Sequence, residues 1–262
     1  EMKFVKKSLG QNFLIDNNVI KKIVNLVKIR NKHIIEIGPG EGALTEEILK
    51  NKPKSLSLIE KDCILAKKLK LKYKNIKIVK IYNDDVLKFN IESIDKKNSA
   101  IFGNLPYNIS SQILVKILKF KKWPPKFKDL VLMFQKELGD KIISKYPSPN
   151  YGRLSILTNY RINVLNKFLV SPNCFFPKPK VTSLVIHSQP KERQKIKINN
   201  LDNLEKITNI IFSNKRKMIN KNIKKILSND KIKIIDGLKL NSRPAEIRPE
   251  IYYKIAEIFE RL

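Results

Sequence analysis

Five apolar runs of strand length recur through the first half of the chain: HIIEI (33–37), SLSLIE (55–60), IKIVKI (76–81), SAIFG (99–103) and DLVLMF (129–134). The segments between them carry apolar residues at helical spacing instead. In one helix expected over Asn18–Lys28, for example, Val19, Ile20, Ile23, Val24 and Val27 share a face behind a polar start at Asp16-Asn17. Ser110–Phe120 and Gln135–Lys145 read as two further helices, and Pro124-Pro125 and Pro147–Asn150 as loops. Strands alternating with helices predict an α/β fold with an open, mostly parallel sheet.

After Tyr151 the pattern changes. A helical stretch runs through Tyr160, then RINVLNKFLV and VTSLVIHSQ read as two neighbouring strands joined through the turn FFPKPK. From Pro190 onward only helical periodicity remains, so residues 1–190 are expected to form one domain and residues 191–262 a smaller, all-helical one.

The chain of 262 residues sets 54 Lys+Arg against 24 Asp+Glu, a formal net charge of +30. Most of the excess is lysine, as an AT-rich genome produces. Whatever its origin, such a field attracts polyanions, and phosphate contacts supply most non-specific nucleic-acid affinity. A 42% hydrophobic content suffices for a packed core. No apolar run approaches the roughly 18–20 residues of a membrane span, so no membrane association is expected. Two cysteines, Cys63 and Cys174, are too few for a disulfide framework and read as buried small hydrophobes. With only His33 and His187 beside them, no metal site is expected. The start of the chain has no apolar signal segment, and Glu1 ahead of Met2 reads as an appended residue. A cytoplasmic setting and a monomer are expected.

The first strand runs into E36-I-G-P-G-E-G42, where Gly38, Gly40 and Gly42 let a ligand lie against the backbone. Glu60 follows the second strand about 20 residues on, the position from which a carboxylate accepts from ribose hydroxyls. Together they predict a nucleoside-bearing cofactor. The spacing is GxGxG rather than GxGxxG, and Glu36 just before it repels phosphate. Both favour S-adenosylmethionine, which carries a sulfonium and an amino group and no phosphate. Asp85, after the third strand, is placed to accept from an adenine amino group, or alternatively to cap a helix.

N104-L-P-Y107 closes the fourth strand. An exocyclic amine such as adenine N6 is a poor nucleophile, because its lone pair is delocalised into the ring. The Asn104 side-chain oxygen and the Leu105 carbonyl are suited to accept its two N–H bonds and turn the lone pair outward. Pro106 stiffens the backbone that aims them, and Tyr107 offers a ring on which a base stacks.

G10-Q-N-F-L14, E36-I-G-P-G40, F102-G-N-L-P-Y-N-I109, Q135-K-E137, Y151-G-R-L-S155, F175-F-P-K-P-K-V181 and N214-K-R-K-M-I-N220 resemble, in order, the rRNA adenine N6-dimethyltransferase family of the KsgA type. The resemblance spans Gly10 to about Ala256. It implies a Rossmann-like S-adenosylmethionine-dependent methyltransferase with a C-terminal helical domain. The implied substrate is small-subunit rRNA in an immature ribosomal subunit, dimethylated at two adjacent adenosines of a hairpin loop near its 3′ end. By the same resemblance, Gln11, Asn12 and Leu14 cover the methionine end of the cofactor and Gly38 and Gly40 its backbone-facing side. Glu60 takes the ribose, Asp85 the adenine, and Asn104 both cofactor and target. Tyr107 and Phe175 are implied to sandwich the flipped base. Lys215, Arg216, Lys217 and Lys221 resemble the family's basic element. They fall in a stretch, Ile210–Leu227, that reads as one amphipathic helix with Phe212, Ile219, Ile223 and Ile226 on the opposite arc.

Two rivals share the fold: the large-subunit rRNA adenine methyltransferases of macrolide resistance, and binding proteins such as mitochondrial transcription factors. NLPY rather than NIPY, and R243-P-A-E246, favour the small-subunit enzyme. The intact catalytic positions argue against a purely binding role.

Overall fold

The computed structural model describes residues 11–262, and Gly10, which opens the GQNFL motif, lies outside them. In chain order the elements are β1 (Phe13–Leu14), α1 (Asn17–Val24), β2 (His33–Ile37), α2 (Ala43–Lys50), β3 (Ser55–Ile59), α3 (Cys63–Lys72), β4 (Val79–Tyr82), β5 (Ala100–Asn104), α4 (Ser110–Leu118), β6 (Asp129–Gln135) and α5 (Lys136–Ile143). There follow α6 (Arg153–Arg161), β7 (Ile162–Val170), β8 (Phe175–Phe176), β9 (Ser183–Pro190), α7 (Leu201–Ile211), α8 (Asn220–Ile223), α9 (Asn229–Lys233) and α10 (Pro249–Glu260).

Seven strands form one sheet in the order β4-β3-β2-β5-β6-β9-β7. The pairs from β4 through β6 are parallel, and β9 closes on β6 antiparallel. β7 and β9 are neighbours, as the two late strands predict, while β8 leaves the main sheet to pair with β1. The central strands are apolar on both faces, as helix-covered parallel strands must be, and Ile34, Leu56, Leu58, Ile101 and Phe102 are at most 1% exposed.

Local chemistry accounts for the element ends. Asp16 caps α1 by accepting from Val19 N at 2.9 Å, and Ile20, Ile23 and Val24 form its buried face. The helix stops short of the expected Lys28 because the chain tightens to i→i−3 bonds, Leu26 N to Ile23 O and Val27 N to Val24 O. β4 likewise starts at Val79 rather than Ile76. Turn bonds from Ile76 N to Tyr73 O and from Val79 N to Ile76 O occupy the backbone there.

The chain divides into two compact units. The first takes the described residues through Ile117 together with Pro124–Gly139 and Val164–Pro190, and holds nearly all of the sheet. The second comprises Leu118–Trp123, Asp140–Asn163 and Lys191–Leu262. A single cut after residue 190 therefore does not describe the partition. The reason is visible at Arg161, 4% exposed, whose Nη1 donates to Leu118 O (2.6 Å) and Phe120 O (2.8 Å) with its guanidinium 4.5 Å from the Trp123 ring centre. Trp123 Nε1 donates in turn to Lys191 O at 2.9 Å.

Within the second unit, Leu204, Ile207 and Ile211 of α7 and Tyr252 and Ile255 of α10 are fully buried. The expected continuous helix over 210–227 is broken: α7 ends at Ile211, a 3₁₀ turn covers Phe212–Asn214, and α8 spans only Asn220–Ile223. The apolar arc survives the break, since Phe212, Ile219, Ile223 and Ile226 are all buried. Cys174 is buried as expected, whereas Cys63 at the start of α3 is exposed. His187 is buried against Asp129, Nε2 to Oδ1 at 2.7 Å.

Candidate active site

The carboxyl ends of β3, β2 and β5 lie side by side, and the sheet order reverses direction between β2 and β5. Ligands of open α/β sheets bind at such a switch point. A cleft opens there, lined by Gln11, Asn12 and Leu14 from the β1 segment, Glu36, Gly38 and Gly40 after β2, Glu60 after β3, Asp85 after β4, and Asn104 through Tyr107 after β5. Every residue expected in a cofactor or catalytic role thus lines this one cleft.

The glycine turn is shaped by what it excludes. Gly38 and Gly40 have φ of 66° and 57°, a region L side chains rarely adopt. A Cβ on Gly40 would come within 2.9 Å of the Phe13 ring, so β1 could not close over the turn. Glu60 ties the turn to β3: its Oε1 accepts from Gly40 N at 3.0 Å and its Oε2 from Asp62 N at 2.9 Å. Burial raises the Glu60 pKa and these two bonds oppose the rise.

Glu36 is 1% exposed and takes a 2.6 Å bond from Thr45 Oγ1. Burial, partly offset by that bond and reinforced by Glu60, pushes its pKa up to about 8. The folded chain therefore holds a proton there that the unfolded chain releases above about pH 4.5. The stability linked to this proton is complete below that pH and lost as pH rises through about 8. We expect urea midpoints of the ligand-free protein to decline over this interval, and the decline to be shallower in Glu36→Gln. Parallel profiles for the two proteins would assign the slope to other groups.

Asp85 serves the turn after β4 directly, Oδ1 accepting from Leu87 N at 3.0 Å, and pairs with Lys61 at 3.3 Å. The Leu87 bond, against a burial penalty and with help from Lys61, holds its pKa below the usual carboxylate range. Among the described residues, Glu41, Glu60, Asp84 and Asp85 line the cleft against a single lysine, Lys61; Glu36 lines it too but keeps its proton up to about pH 8, so the phosphate repulsion expected of it does not operate at neutral pH. That set of acceptors, with a glycine turn no Cβ obstructs, fits a cationic, phosphate-free nucleoside such as S-adenosylmethionine.

Asn104 ends β5, and its Nδ2 donates to Asn12 O at 3.3 Å, so Oδ1 is the acceptor atom of its amide. Gly103 before it is required for packing, since a Cβ there would sit 2.7 Å from Leu105 Cδ2. The buried Leu105 side chain in that space anchors the backbone of the NLPY segment. Tyr107 bonds Ser183 Oγ through its hydroxyl at 2.7 Å.

Phe175 corrects an expectation. Paired with Leu14 across β1 and β8, it belongs to the hydrophobic core at 3% exposure, and it is absent from the cleft lining. It offers no free ring face for a base. In a two-residue strand the side chains alternate, so the half-exposed neighbour is Phe176. Lys215, Arg216, Lys217 and Lys221 are all exposed in the second unit, on the irregular segment between α7 and α8 and at the start of α8. Sequence reasoning missed Thr45, Asp62 and Ser183. Asp62 was legible as the cap of α3, where it accepts from Ile64 N at 2.8 Å; the other two carry no local signal.

A family model described as ribosomal RNA adenine dimethylase matches residues 2–261. Ribosomal RNA small subunit methyltransferase A of Pelagibacter ubique is 47% identical over 261 residues, 98% of this chain and 97% of that protein. The protein of the same name from Malacoplasma penetrans is 39% identical over 257 residues, 96% of this chain and 91% of that one. Among solved structures, a dimethyladenosine transferase from Plasmodium falciparum shares the fold with a TM-score of 0.74 at 24% identity, covering 95% of this chain and 98% of that one. The 23S rRNA methyltransferase ErmE shares it at 0.67 and 24% identity, covering 96% and 99%.

Proposed function

The chain belongs to the ribosomal RNA adenine dimethylase family, and from that premise we propose that it dimethylates N6 of two adjacent adenosines in a hairpin loop near the 3′ end of small-subunit rRNA. Its substrate in this reading is an immature small ribosomal subunit, on which it acts as a monomer. The observation that carries the reading is the NLPY segment at the end of β5, in the wall of an acidic cleft closed by a glycine turn.

Gln11, Asn12, Leu14, Gly38, Gly40, Glu60, Asp85 and Asn104 are the residues that would hold S-adenosylmethionine. When bound, that cofactor supplies an electrophilic methyl group. The chain's own contribution is to present the amine. Extruding a base costs a few kcal/mol, least in a single-stranded loop, and stacking on the Tyr107 ring returns about 1–3 kcal/mol. Asn104 Oδ1 and the Leu105 carbonyl accept the two N6 N–H bonds, so the nitrogen becomes pyramidal and its lone pair is withdrawn from the ring π system and directed outward. Pro106 limits the backbone freedom of these acceptors. The ammonium product is acidic enough to lose its proton to water, so no strong base is needed and orientation does most of the work. After one transfer a single N–H remains, and one acceptor then holds the amine.

Residues 191–262 supply RNA contacts in this reading, through Lys215, Arg216, Lys217 and Lys221. Removing a cation that neutralises one phosphate lowers the slope of log affinity against log salt by roughly 0.7–0.9. Charge reversal at Lys217 and Lys221 is therefore expected to weaken rRNA binding and flatten that slope by about 1.5. An unchanged slope would remove them from the RNA surface.

The function is tested by incubating the protein with labelled S-adenosylmethionine and, separately, immature small subunits, mature large subunits or promoter DNA, then mapping the label. Dimethyladenosine at two adjacent positions in small-subunit rRNA is expected. Label in large-subunit rRNA alone, or none with binding intact, would favour one of the two rivals.

A further inference from the structure

The Tyr107 ring has to hold one plane to receive a base, yet it sits on the connection between β5 and α4, where the backbone is anchored by the buried Leu105 side chain and by local bonds. Ile109 N donates to Pro106 O at 3.2 Å and Ser110 Oγ to Tyr107 O at 3.1 Å. Neither acts on the ring. The far end of the ring is held by Ser183, whose Oγ lies 2.7 Å from the phenol oxygen, 76 residues away in the chain. Ser183 is fully buried and opens β9, in register with Gln135 at the end of β6. The residue before it is tied as well, Thr182 O accepting from Lys136 N at 2.9 Å.

We propose that Ser183 is a positioning residue for methyl transfer: its hydroxyl, carried on the antiparallel β6–β9 pair, locks the Tyr107 ring in the plane on which the target base stacks. The inference rests on the stacking role proposed above for Tyr107. Stacking alone needs a ring face and would be served equally by phenylalanine. A phenol whose hydroxyl is bonded to a buried strand residue has that hydroxyl engaged with the sheet, which gives it a use that stacking does not. A ring fixed at both ends also loses less freedom when the base arrives. The second transfer should depend on this most, because the monomethylated amine keeps only one N–H for the acceptors to hold.

The test is a double-mutant cycle on the full chain with small-subunit substrate and S-adenosylmethionine. Ser183→Ala and Tyr107→Phe are each expected to lower kcat about tenfold, raise the ratio of monomethyl to dimethyl product, and leave cofactor affinity unchanged. Since both remove one bond, the double variant should also lose about tenfold rather than a hundredfold. Losses that multiply, or a Ser183→Ala enzyme with normal kcat and normal product ratio, would overturn the inference. If Ser183→Ala does not fold, Tyr107→Phe breaks the same bond from the half-exposed side, and full activity there overturns it equally. Tyr107→Ala separates the two levels. Its inactivity beside fully active Ser183→Ala and Tyr107→Phe refutes the positioning role alone, whereas an active Tyr107→Ala refutes the stacking role and the inference with it.

Discussion

Asn104→Ala is expected to lower kcat by about 10²–10³-fold while cofactor binding weakens but stays measurable. The magnitude is that of losing one preorganised polar group aimed at a reacting atom. Asn104 closes β5, a strand whose other residues are fully buried between β2 and β6, so the position of its side chain is set by the sheet and not by a loop. Its Nδ2 bond to Asn12 O links the same residue to the segment proposed to cover the cofactor, which is why binding should fall as well. Isothermal titration with S-adenosylhomocysteine and single-turnover methylation separate the two effects. Full activity in the variant on native subunits would show that the amine is oriented by something else.

Glu60→Ala should produce the largest loss of cofactor affinity, about 100-fold. The carboxylate is 7% exposed and satisfies two backbone N–H groups, those of Gly40 and Asp62. Leaving a buried donor unpaired costs about 1–3 kcal/mol, and here one of the two donors belongs to the turn that must fit the ligand. The same substitution removes the acceptor proposed for the ribose hydroxyls. Glu60→Gln keeps the shape and one acceptor oxygen, and is expected to fall between wild type and Glu60→Ala. Unchanged binding in Glu60→Ala would separate Glu60 from both the turn and the cofactor.

What could be read from the chain in advance was whatever leaves a residue-type mark. The absence of Cβ atoms at 38 and 40 is such a mark, and both glycines adopt the positive φ that only they take easily. The apolar runs for β2, β3, β5 and β6 are another, since each is paired on both edges inside the sheet and buries its apolar side chains. Periodicity failed where apolar spacing persists while the backbone departs from it. Ile76 and Ile78 resemble a strand, but both Ile76 N and Ile76 O are used in turn bonds, only the Ile78 carbonyl reaches β3 (from Leu56 N), and both side chains are exposed. Phe212, Ile219, Ile223 and Ile226 keep their buried arc across a break in the helix. Which of Phe175 and Phe176 faces inward depends on the pairing of a two-residue strand with β1. Ser183 had no readable signal, because its partner is brought to it only by the assembled sheet.

The central claim is that the amide of Asn104 and the ring of Tyr107 hold an extruded adenine for attack. A crystal structure with S-adenosylhomocysteine and a short hairpin RNA carrying the two adenosines tests it most directly. The account predicts adenine N6 within about 3.2 Å of both Asn104 Oδ1 and the Leu105 carbonyl oxygen, with the base parallel to the Tyr107 ring. An adenine seated elsewhere, with the Asn104 side chain turned away from it, would contradict the account.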